Sequence, residues 1–133
     1  MRLLPFCFGL VLLLPSSGCN IVGQEEAEKL RQDEIDVLNE LATTLSGITD
    51  AKSSKAANAK LKEIAAKIQQ VAEKGKSTKV TKSTLNAVNE KFKDRELEAA
   101  GKVVKEVFRL SAVPGTDDEL EIVQEALAKV SEK

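Results

Sequence analysis

The sequence predicts an all-α protein, an up-down antiparallel helical bundle of three to four helices that follows a cleaved signal peptide. Three observations carry this. Apolar residues from Gln24 onward recur at helical spacing, with no strand-like alternation of useful length. Capping residues and glycines fall where the periodic stretches begin and end. The chain has 133 residues, and about 150 is the usual size of one domain.

The first helix is predicted from about Gln24 to Ser46, with Ala27, Leu30, Val37, Leu38, Leu41, Leu45 and Ile48 on one broad face and Gly47 as its C-cap. The second follows Asp50, a good N-cap, and runs to Lys74 with Gly75 closing it. Its apolar residues Ala57, Leu61, Ile64, Ile68 and Val71 are spaced alternately by four and three, the seam of two helices packed side by side. The third runs from about Lys82 to Leu110. Thr81 caps it, and Val80 is placed to pack on Leu85 as a hydrophobic staple.

Leu85, Val88 and Phe92 form a narrow stripe on this third helix. Past Asp94-Arg95-Glu96, where a kink or break is expected, two stripes run side by side: Leu97, Ala100, Val104, Phe108, and Ala99, Val103, Val107, Leu110. The wider face predicts that this half is the most buried part of the bundle. Pro114-Gly115 forces a turn, and Thr116 with Glu119 is expected to form a capping box for a last helix ending near Ser131. Leu120, Val123, Leu127 and Val130 give its inner face. Short connections at residues 47–50 and 75–81 predict antiparallel neighbours.

Charge nearly cancels, with 20 basic and 21 acidic residues, but it is segregated. Residues 24–40 carry −5, residues 51–82 carry +7, residues 83–110 carry +1 and residues 111–133 carry −4. The balance argues against a nucleic-acid partner, which calls for a clear basic excess. Within a bundle, the basic second helix is expected to lie beside acidic neighbours. Lys52, Lys55, Lys60, Lys62 and Lys67 are the alternative candidate, an anion-facing surface.

The N-terminal segment reads as an address. Met1-Arg2 precedes an apolar run of 12 residues, Leu3 to Leu14, too short for a bilayer span of roughly 20 residues and suited to the core of a secretory signal. Ser16-Ser17-Gly18-Cys19 follows, with small residues directly before the cysteine. It resembles the lipobox of bacterial lipoproteins, apart from Ser16, where that motif usually has Leu. The resemblance implies cleavage before Cys19 and a diacylglycerol thioether on its thiol. Residues 1–18 are then signal peptide, residues 19–24 a lipidated tether, and residues 25–133 the bundle. Cys7 leaves with the signal, so neither cysteine remains as a free thiol. With Asn20 next to Cys19, the resemblance implies the outer membrane, facing the periplasm.

Leu38-Asn39-Glu40-Leu41-Ala42, Ile48-Thr49-Asp50-Ala51-Lys52-Ser53-Ser54-Lys55-Ala56-Ala57 and Lys60-Leu61-Lys62 also resemble stretches of small helical lipoproteins of planctomycete-type bacteria. That resemblance implies an envelope protein and no particular activity. The terminal Lys133 is similar to that of the major outer-membrane lipoprotein, but Ser131-Glu132 stands where that family has Tyr-Arg, and covalent attachment to the cell wall is not expected.

Chemistry is sparse. Histidine is absent, which removes the commonest acid-base group and metal ligand. No Ser-His-Asp or Cys-His nucleophile can be assembled, and no phosphate-binding glycine loop or two-His zinc motif occurs. Asp117-Asp118-Glu119 lacks the ligand spacing of a calcium loop and suits a helix N-terminus instead. The expectation is a non-catalytic, membrane-anchored structural or interaction module, with no cofactor or metal and an envelope protein as partner. The alternative is a periplasmic small-ligand or chaperone-like module with a hydrophobic groove between its helices.

Overall fold

The computed structural model describes residues 21–131. The expected signal peptide (residues 1–18), Cys19 and Lys133 lie outside the described residues. Four helices make up the fold: α1 (Gln24–Ser46), α2 (Ala51–Ser77), α3 (Lys82–Leu110) and α4 (Asp117–Ser131). Among the described residues there is no strand, only an isolated parallel bridge between Ile21 and Lys79. No described helix is long and apolar enough to cross a membrane.

Local chemistry sets most helix ends. Asp50 caps α2 by accepting from the Ser53 N–H at 2.7 Å, while Ser53 Oγ accepts from the Asp50 N–H at 3.0 Å, a reciprocal capping box. Thr81 caps α3 through the Thr84 N–H at 3.2 Å, and Val80 beside it is buried. Gly47 closes α1 as predicted. Gly75 does not close α2. The helix continues to Ser77, and the Thr78 N–H and hydroxyl take up the last carbonyls. Glycine weakens a helix interior but does not by itself end one, and here Gly75 is buried. Residues 94–96 carry no break, and α3 runs unbroken through them.

Thr116 and Glu119 do not cap each other. The Thr116 hydroxyl donates to the Leu110 and Val113 carbonyls, both at 2.9 Å, and so closes the end of α3. Glu119 reaches across to α2, accepting from Ser54 Oγ and, at 2.9 Å, from Asn58 Nδ2. These bonds hold its carboxyl below the ordinary range although burial acts to raise it. Gly115 makes the turn at φ +80, where an added Cβ would lie 2.8 Å from Ala51 Cβ.

Consecutive helices alternate in direction, but the closest packing is not all between consecutive helices. It pairs α1 with α3, α1 with α2 and α2 with α4, giving a spatial order α3–α1–α2–α4. Glu28 meets Lys91, Arg31 meets Glu96, and Leu45 with Ile48 meets Arg109, so α1 and α3 run parallel. The expectation that the α2–α3 connection joins close neighbours is therefore corrected. The reason is packing: Val88, Phe92, Ala99, Val103 and Leu110 of α3 share one core cluster with Leu38, Leu41 and Leu45 of α1, and burying that face holds α3 against α1.

The order of helices also overturns the burial predicted for α3. Ala99, Val103 and Leu110 are buried, yet Leu97 and Phe108 are 61% and 64% exposed. With α1 as its one close neighbour, α3 has a single stripe covered, and the second stripe faces outward.

Candidate functional site

Three features stand out on this scaffold: a buried ion cluster, an apolar cleft beside it, and the outward stripe of α3.

Arg31 comes from the apolar face of α1 and is 3% exposed. Its Nη1 donates to Glu34 Oε2 at 3.0 Å and to Glu96 Oε1 at 3.4 Å, and its Nη2 to Asn89 Oδ1 at 2.7 Å. One guanidinium thus ties α1 to α3 through the Glu96 carboxylate and the Asn89 amide, and also pairs with Glu34 of its own helix. Glu34 is 7% exposed, and its Oε1 has no hydrogen-bond partner among the described residues. Burial pushes the Glu34 carboxyl up to about 7 against the opposing pull of Arg31. Burial also raises Glu96, again with Arg31 opposing. Sequence periodicity did not single out this cluster, because a charged residue on an apolar face gives no sign of its distant partners.

Glu34 borders a cleft between α1, α2 and α4, otherwise lined by Val37, Leu38, Ile68, Val71, Ala72, Leu127 and Val130. The cleft has room for roughly one ordered water, and its accessible wall is almost wholly aliphatic.

The five lysines singled out in the sequence do not form one surface. Lys60 and Lys67 are half-buried and turn toward α1: Lys60 Nζ lies 2.7 Å from Glu40 Oε1 and Lys67 Nζ 3.0 Å from Glu40 Oε2. Both also reach Glu63, at 3.3 and 3.1 Å. Hydrogen bonds from Lys60 and Lys67 hold Glu40 below the usual carboxylate range, and the bond to Glu40 raises Lys60 in return. Lys52, Lys55 and Lys62 are exposed and make no ion pair among the described residues.

The outward face of α3 carries the exposed Leu97, Gly101 and Phe108 and the half-buried Val104, with Ala100 half-buried at its margin. Most of the surface of Leu97 and of Phe108 is left uncovered by the described residues. Around the stripe lie the exposed Lys93, Asp94, Glu98, Lys102 and Lys105. Gly101 is the anomaly. It sits inside a long helix, where glycine costs about 1 kcal/mol relative to alanine, yet an added Cβ would meet nothing within 4 Å. Packing within the chain gives no reason for it.

Among the described residues no group of three His, Cys, Asp or Glu is arranged to hold a metal ion. No protein-family model, curated protein or solved structure matches the chain.

Proposed function

We propose that this chain is a lipid-anchored envelope protein, tethered through Cys19 at the outer membrane and facing the periplasm. Its bundle serves as a non-catalytic docking module. The observation that carries the docking role is the exposure of Leu97 and Phe108, with the half-buried Val104 between them, on a helix whose other face already supplies the core. Large exposed apolar side chains clustered on one face mark interaction surfaces more often than isolated ones do. The anchoring half rests on the lipobox-like Ser16-Ser17-Gly18-Cys19.

The ligand-binding alternative has the Glu34 cleft in its favour, since a buried carboxyl with one unpartnered oxygen is a polar anchor of the kind ligand pockets use. Space for about one water is far below the several hundred Å³ of such pockets. Docking is the better supported function.

Fractionation tests the anchor. Cys19→Ser is expected to release the protein from the membrane fraction or to leave its signal uncut, and incorporation of a labelled fatty acid is expected to vanish. Unchanged membrane fractionation with a normally cleaved signal defeats the anchoring half.

A further inference from the structure

We propose that the outward face of α3 is a self-association seam, on which α3 of one copy packs in parallel register against α3 of a second copy. The inference rests on the docking role proposed above and names its partner.

Leu97, Gly101, Val104 and Phe108 are separated by four, three and four residues. This is the spacing of alternating d and a positions in a two-helix seam, where knobs of one helix enter holes of the other. The seam has defined ends. One heptad step before Gly101 stands Asp94, and one before Leu97 stands Glu90, both exposed. Apposed to their own copies, these carboxylates repel, so the contact runs from residue 97 to residue 108, about 17 Å of helix. Gly101, unexplained within the chain, lies at the middle of this run. There a missing side chain lets two backbones approach.

Charge selects the register. In a parallel pair, a flanking residue of one helix meets the residue five positions further on in its partner. Lys93 and Glu98 are in that relation, so each copy offers Lys93 to the other's Glu98. Among the described residues Lys93 has no ion pair, while Glu98 bonds only Lys102 of its own helix, at 2.7 Å. Geometry at the anchor agrees. The Val22 N–H donates to the Lys79 carbonyl at 2.8 Å, so Ile21 and Val22 lie beside the start of α3. Two parallel copies therefore hold residues 21 and 22 on the same side, as two copies tethered in one membrane must.

The seam is shorter than the three or more heptads of a stable coiled coil. Association in dilute solution is expected to be weak, and confinement to a membrane surface supplies the effective concentration.

Disulfide trapping in the full chain, expressed in a Gram-negative host, tests the proposal. Ser111 is one heptad step beyond Val104. In a parallel pair Ser111→Cys meets its own copy, and in an antiparallel pair it meets residue 94 or its surroundings. Mild oxidation is expected to trap a Ser111→Cys dimer, whereas Lys52→Cys on α2 and the unsubstituted chain give none. Adding Leu97→Lys and Phe108→Lys is expected to lower the yield about tenfold or more, with helicity unchanged because both side chains are already exposed. Lys93→Glu is expected to lower the yield, and Lys93→Glu with Glu98→Lys to restore it.

Absence of the Ser111→Cys dimer overturns the proposal. So does equal trapping through Lys52→Cys, or a yield indifferent to the Leu97 and Phe108 changes. Cys19→Ser separates the two ideas. If that variant still fractionates with the membrane while Ser111→Cys dimers persist, the anchoring half falls and the seam stands. If anchoring is verified and no dimer forms, the seam falls alone.

Discussion

A carboxyl group enclosed by Arg31 and a wall of aliphatic side chains is costly to ionise, and the cost appears in the pH dependence of folding. Glu34 titrates near 7 in the fold against an ordinary value of 4.5. Between those values the folded chain holds a proton that the unfolded chain has lost. The stabilisation is complete below pH 4.5 and is lost as pH rises through 7. The separation corresponds to on the order of 3 kcal/mol. Glu96, raised by burial, acts in the same sense. Glu28 and Glu40 are held low by Lys91 and by the Lys60–Lys67 pair. Their contribution is present at neutral pH and fades only as pH falls through their depressed values. Urea unfolding is therefore expected to show lower stability at pH 8 than at pH 5. Glu34→Gln should flatten most of that decline and exceed the unsubstituted protein at pH 8. Parallel declines in both proteins would refute the assignment to Glu34. Arg31 gives a second test at this scale. Arg31→Met leaves the buried Glu34 and the half-buried Glu96 without their cation, and removing the partner of a buried charge costs about 3–5 kcal/mol. Adding Glu34→Leu is expected to recover much of the loss, and no recovery would mean that the aliphatic stem of Arg31 carries the stability.

Among the helices, α3 separates what sequence can reveal from what it cannot. Its limits, Lys82 and Leu110, were legible because a capping threonine and an apolar period are local signals. Which of its two stripes is buried was not legible, because that depends on how many helices stand beside it. Val103→Ala is expected to cost about 1–3 kcal/mol, while Leu97→Ser and Phe108→Ser fall within about 0.5 kcal/mol of the unsubstituted protein. Chemical denaturation of the three variants checks this, and comparable losses in all three would mean the outward stripe is covered. The same limit explains Thr116 and Glu119. Their spacing announces a capping box, but partners on α3 and α2 claim both side chains. The lysines of α2 divide for a similar reason. Glu40, on another helix, selects Lys60 and Lys67 from the set. Lys60→Glu with Lys67→Glu should lower the melting temperature at low salt and much less at high salt, whereas Lys52→Glu with Lys62→Glu should leave it unchanged. Equal effects from the two pairs would erase the distinction. Gly115 was legible as a turn but not as a contact. Gly115→Ala is expected to cost about 1–3 kcal/mol through its left-handed backbone and its approach to Ala51.

At the scale of the molecule, the order α3–α1–α2–α4 makes α1 and α2 the spine, each with two close neighbours, while α3 and α4 have one apiece. Hydrogen exchange should be slowest around Leu38–Leu45 and Leu61–Ile68 and fastest among the helices in α4, the shortest. Slower exchange in α4 than in α1 would contradict this order. The bridge between Ile21 and Lys79 has a mechanical consequence at the same scale. A leash running straight into α1 would let a pull at residue 19 unwind that helix one turn at a time. Here the Val22 N–H is fastened to the carbonyl of Lys79, where α2 has ended and α3 has yet to begin. Force arriving along the chain is delivered sideways to the junction of three helices. Under the anchoring proposed above, tension along the chain loads that fastening first, and α1 unravels only after it has given way.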